Sequence, residues 1–122
     1  MDHRQIVRTL AVGRVAVGAT LTLFPAFGGG RWIGSVAGDP AVKVITRAFG
    51  VRDLALGLGT LQALNGGGSA KSWVGLSAVA DAVDAAATVL GLRAIGPAKA
   101  LPVLAVAAAS AAAHSIAYEH LD

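Results

Sequence analysis

The sequence contains no cysteine. Disulfides, thiolate metal sites and thiol nucleophiles are therefore excluded, and the redox compartment cannot be read from it. Charge is also scarce. Asp, Glu, Lys and Arg make up 14% of the 122 residues, against about 25% in a soluble domain. Aromatic residues are 5% of the chain, so a core in water would have to be built from Ala, Val and Leu. Residues 15–30 and 100–113 hold no ionisable group at all. A soluble bundle of four long helices needs polar faces laced with i,i+4 charge pairs, and these stretches cannot supply them.

Other absences narrow the chemistry. The ten Lys and Arg leave a net charge of +3. They are scattered singly, with no basic patch interleaved with aromatics, so nucleic acid is not an expected partner. A positive balance on an apolar chain fits anchoring to anionic lipid headgroups. "GGGRW" and "NGGGS" lack the GxxxxGK[ST] pattern of a phosphate loop and read as turns between apolar segments. No HxxxH or ExxH spacing occurs, so no metal site is expected, and no cofactor is implied. Arg8 and Arg14 interrupt the first apolar segment, which is expected to remain as a helix rather than serve as a cleaved leader.

What is present is greasy. Hydrophobic residues are 55% of the chain and mean hydropathy is +0.66. Glycine and proline divide the sequence into four apolar blocks, over residues 5–24, 41–64, 73–92 and 98–121. Each has about the length of a membrane-crossing helix, roughly 20 residues. The breaks are short, which makes neighbouring helices antiparallel. Asp39 and Pro40 predict an N-cap and a first helical position. Ser72 is a second candidate cap, and Trp32 and Trp73 fall at block edges where an interfacial aromatic belt would lie. The expected fold is all-α: one antiparallel four-helix transmembrane bundle with Gly/Pro-rich loops, multi-pass in the cell membrane. Both termini then share a side, and the usual dominance of the first helix places them in the cytoplasm.

Charges inside such a bundle demand partners, because an isolated Arg or Asp at the bilayer centre costs about 2.5–3.5 kcal/mol. Arg14, Arg47 and Arg52 supply three positives, and Asp53, Asp81 and Asp84 three negatives. Thr46, Gly50, Asp53, Gly57 and Thr60 follow alternating steps of four and three, one stripe of a helix. Ser77, Asp81, Asp84, Thr88 and Gly91 form another, and Ser110 and His114 lie one turn apart. Arg14 aligns with Gly18. Adjacent helical residues point about 100° apart, so Asp53 is expected to face Arg14 or Arg47 while Arg52 reaches Asp81 or Asp84. Small residues beside the polar stripes let backbones approach closely.

The segments "GRVAVGATLTLFP", "TRAFGVRDLALGLGTL" and "SAVADAVDAAATVLGL" resemble a family of small four-helix bacterial membrane proteins, of the actinobacterial type and loosely similar to the DoxX-like group. The resemblance covers nearly the whole chain and singles out Arg14, Arg47, Arg52, Asp53, Asp81 and Asp84. It implies the architecture and carries no established activity, although members of the wider group have been tied to redox-linked assemblies.

Three functions fit these residues. One is a membrane binding or interaction protein whose polar core serves folding and whose Ala-rich faces meet a second copy or a larger membrane complex. Another is a membrane enzyme acting on a lipophilic small molecule by isomerisation, cyclisation or epoxide opening. There Asp81 or Asp84, close enough to share a proton, would be the general acid. Asp53 would assist as a third catalytic carboxylate, and Arg14, Arg47, Arg52, Thr88 and His114 would line the binding site. The third is a proton or solute pathway along the same charges.

Overall fold

The computed structural model describes residues 2–121, and among them all regular structure is helical. Six α-helices run in order: α1 His3–Leu23, α2 Pro25–Ile33, α3 Pro40–Gln62, α4 Ala70–Leu90, α5 Leu92–Ile95 and α6 Pro97–His120. A 3-10 turn over Gly34–Gly38 joins α2 to α3, and a π turn over Ala63–Gly67 follows α3. The helices α1, α4 and α6 are long and apolar enough to cross a membrane. The 23-residue α3 matches them in length but carries Lys43, Arg47, Arg52 and Asp53.

Local chemistry sets the helix ends. Asp2 and Gln5 form a reciprocal capping box on α1. Asp39 accepts from Ala41 N at 2.8 Å and Pro40 opens α3, as their order predicts. At α4 the cap is Ser69, whose hydroxyl accepts from Ser72 N. Ser72, the expected cap, instead lies inside the first turn. The break after α3 needs left-handed backbone, at Gly66 (φ 99°) and Gly68 (φ 142°). In α6 Pro102 removes a donor to the carbonyl four residues back, within the second turn.

"FGGGRW" was expected to be a turn, and it is helix α2. Pro25 starts it in the position where a missing N–H costs nothing. Tertiary packing then favours the glycines. A Cβ on Gly28 would stand 3.0 Å from Leu21 Cδ2, and one on Gly29 would stand 3.2 Å from Ala37 Cβ. This short helix therefore folds back on the end of α1, close to α3.

The most extensive packing joins α1 to α3 and α4 to α6. Glycine brings the first pair to backbone contact. A Cβ on Gly50 would lie 2.7 Å from Thr22 N and 2.8 Å from Gly18 O, and one on Gly57 would lie 2.8 Å from Ala11 O. Trp73 of α4 closes the seam with α3 by laying its ring on Gly59, where an added Cβ would meet ring carbons at 2.6 Å. It packs against an apolar cluster of Val7, Ala63, Leu64, Ala70, Val74, Ala117 and Leu121. Trp73, partly buried near the start of α4, thus binds helices together.

Charged and polar side chains are buried among the apolar core while large apolar ones lie outside it. The buried side chains include Arg14, Asp53, Asp81, Thr60, Ser77, Thr88 and His114, whereas Leu90, Val106, Leu23, Val44 and Val79 are among the exposed hydrophobics. Leu90 is 88% exposed and Val106 71%. Large apolar side chains exposed in this number mark a membrane or protein contact.

Candidate functional site

The buried charges form one continuous chain across all four long helices. Arg14 lies beside the midpoint of α1, Asp53 two residues beyond that of α3 and Asp81 beside that of α4. From α1, Arg14 Nη1 donates to Asp53 Oδ1 at 2.8 Å, and Arg14 Nη2 donates to Asp81 Oδ1. Asp53 Oδ1 also accepts from Arg52 Nη2 at 3.1 Å. Arg52 grips Asp84 with a two-pronged fork, Nη1 to Oδ1 at 2.9 Å and Nη2 to Oδ2 at 2.6 Å. Forked pairs of this geometry are the strong form of the contact.

At the other end, α6 completes the set. Ser110 Oγ donates to Asp81 Oδ2 at 2.7 Å. His114 Nδ1 stands 3.2 Å from the same oxygen and 2.9 Å from Ser110 O. Both neighbours are acceptors, so this ring nitrogen carries the hydrogen. The order is His114, Asp81, Arg14, Asp53, Arg52, Asp84. With the imidazole neutral, two guanidiniums face three carboxylates, a surplus of one negative charge; an imidazolium at His114 would complete strict alternation.

Arg47 does not join. It is exposed, and its Nε donates to Thr22 O at 3.3 Å, near the end of α1. The expected balance of three positives and three negatives therefore fails by one cation. Asp81 and Asp84 share a helix face, yet they turn to different arginines and are not built as a proton-sharing pair. Thr88 donates to Asp84 O at 2.7 Å and accepts from Trp32 Nε1 at 3.2 Å. It fastens α2 to α4 rather than presenting a free hydroxyl.

Two aromatic residues complete the surroundings. Phe49 lies under the Arg52 guanidinium, 4.7 Å from carbon to ring centroid, and meets Trp32 edge-on at 5.5 Å. Phe49 stands three residues before Arg52, so helical spacing alone would have flagged it. Trp32 gave no such signal, because Thr88 is 56 residues away. Arg52 Nε and Ser77 Oγ are buried with no hydrogen-bond partner among the described residues.

The charges are largely sealed. Side-chain exposure is 7% for Arg14, 8% for Asp81, 11% for Asp53 and 16% for Asp84, with Arg52 more open at 30%. An apolar cavity of about 260 Å³ lies nearby, lined by Leu21, Gly29, Trp32, Ile33, Val42, Ile45, Thr46 and Phe49. No member of the charge chain is on its wall; the Phe49 and Trp32 rings stand on that wall. Among the described residues no cluster of His, Asp and Glu suited to a metal ion occurs. Comparison with protein-family models, curated proteins and solved structures gave no match.

Proposed function

We propose that the protein is a multi-pass integral membrane protein of the binding or interaction type, with α1, α3, α4 and α6 as an antiparallel four-helix transmembrane bundle in the cell membrane. The resemblance to small DoxX-like membrane proteins belongs to the same proposal. One observation carries it: each ionised group in the core is occupied by a partner from its own chain, while large apolar side chains face outward. Charges so arranged fix which helices meet and in what register, the best-attested use of buried ion pairs. An enzyme would need an acid open to substrate, and Asp53, Asp81 and Asp84 are each engaged by arginine. What remains for function is the outer surface, rich in alanine and suited to close helix contact with a second copy or a larger partner.

Alkaline washing of membranes, followed by native mass spectrometry of the detergent-extracted protein, tests this. The protein should stay with the lipid pellet and emerge as a defined oligomer or with a co-purified partner. A chain released into the aqueous wash as a stable monomer would overturn it.

The surplus carboxylate favours a second reading, a proton pathway. His114 and Asp84 are the two ends of the alternating chain, and a proton entering at one end would shift the pairing along it. Reconstituted vesicles loaded with a pH dye would report a proton leak absent from His114→Leu.

A further inference from the structure

We infer that the cavity between α1, α2 and α3 is a binding site for an anionic glycerophospholipid, with an acyl chain inside it and the phosphate held by Lys43 and Lys99. The inference rests on the membrane assignment above and adds a ligand to it. The cavity wall is hydrocarbon and aromatic carbon apart from Thr46. The Thr46 hydroxyl already donates to Val42 O at 2.9 Å, in its own helix. Nothing there recognises a polar molecule. A volume of about 260 Å³ is just below the span of pockets for drug-sized ligands, roughly 300–1,000 Å³, and suits part of a lipid chain.

Charge at that end supplies the headgroup preference. Arg31, Lys43, Arg47, Arg93 and Lys99 all belong to the end of the molecule where α2, α5 and the starts of α3 and α6 lie. Asp39 is the acid there, and its carboxylate is committed to capping α3. Lys43 follows the cavity residue Val42 on α3. Lys99 Nζ stands 3.3 Å from Gly30 O, next to the cavity residue Gly29. Among the described residues neither lysine has a carboxylate within ion-pair distance. Arg31 is drawn aside over the Phe27 ring, at 4.9 Å. The opposite end is different in kind: among the described residues Arg4, Arg8 and Lys71 are offset there by Asp2 and Glu119. A lipid with a negative headgroup therefore has one complementary end, and the hydrocarbon cavity is at that end.

The test is native mass spectrometry of the protein in mild detergent with equal amounts of phosphatidylglycerol and phosphatidylcholine of identical chains. Wild type should retain phosphatidylglycerol preferentially. Lys43→Ser with Lys99→Ser should lower that preference about 25-fold, at about fivefold for each cation near anionic headgroups. Arg8→Ser with Lys71→Ser, at the far end, should leave it unchanged. Val42→Trp, which fills the cavity, should remove retention of both lipids while far-UV circular dichroism stays helical. Equal retention of the two lipids by wild type, a preference that survives loss of Lys43 and Lys99, or full retention by Val42→Trp would each overturn the site. A protein monodisperse in buffer without detergent would instead overturn the membrane assignment beneath it.

Discussion

Arg14 Nη1 lies 2.8 Å from Asp53 Oδ1, and this contact bridges α1 and α3, the two helices whose backbones meet through glycine. The same guanidinium holds Asp81 of α4 with its other nitrogen. Arg14 is thus a three-helix junction, 9% exposed.

Arg14→Leu should therefore be the most damaging single change in the chain. It leaves Asp81 with no guanidinium and Asp53 with Arg52 alone, and breaking a buried pair by removing one partner costs about 3–5 kcal/mol. Arg47→Leu gives up one exposed hydrogen bond to Thr22 O and should stay within about 0.5 kcal/mol of wild type. Thermal unfolding in detergent, followed by circular dichroism, compares the two.

Arginines are in the minority in the charge chain, so neutralising them and neutralising aspartates should differ in cost. Arg14→Gln or Arg52→Gln raises the surplus of negative charge from one to two. Asp53→Asn, Asp81→Asn or Asp84→Asn removes the surplus. Each aspartate variant should unfold at a higher temperature than either arginine variant. An arginine variant as stable as the three asparagine variants would contradict this charge count.

Two glycines one helix apart should respond in opposite senses to the same methyl group. Gly50→Ala drives a Cβ against Thr22 N at 2.7 Å and Gly18 O at 2.8 Å, and overpacking of this sort costs about 1–3 kcal/mol. Gly13 has open space where its Cβ would go. Gly13→Ala should stabilise α1 by about 0.5–1 kcal/mol. Unfolding temperatures in one detergent settle the order.

Sidedness follows from the cation census. Arg47 sits beside the end of α1, so the connecting end holds five Lys and Arg, against Arg4, Arg8 and Lys71 at the terminal end. On the membrane assignment, the positive-inside rule predicts that the connecting end faces the cytoplasm and that both termini face away. The first helix alone leads to the opposite expectation. Reporter fusions at the C-terminus should be active only as the form that works outside the cytoplasm.

How much of this could be read from the residues depended on whether the signal was local. Period and composition located the long helices, since Asp39 and Pro40 mark the start of α3, the glycine run 66–68 separates α3 from α4, and Gly96 and Pro97 mark the start of α6. The alternating stripes also named Asp53, Asp81 and Asp84, and opposite sign suggested Arg14 and Arg52 as partners. Periodicity gives a face and no depth, which is why Arg47 was grouped with a core it does not reach. The glycines of α2 looked like a loop by propensity, and only their packing against Leu21, Ala37 and Thr46 makes the helix intelligible. Trp32 meets Thr88 across the fold, a contact that no spacing encodes.

Because Arg14, Asp53 and Asp81 reside on three different helices, the pairing has a consequence for biogenesis. When α3 first leaves the ribosome, Arg52 and Asp53 have between them one cation from α1, and Asp84 has not been synthesised. On the membrane assignment, α3 would have to linger in the insertion machinery until α4 arrives, and the late α6 would release the assembled unit by delivering Ser110 and His114 to Asp81.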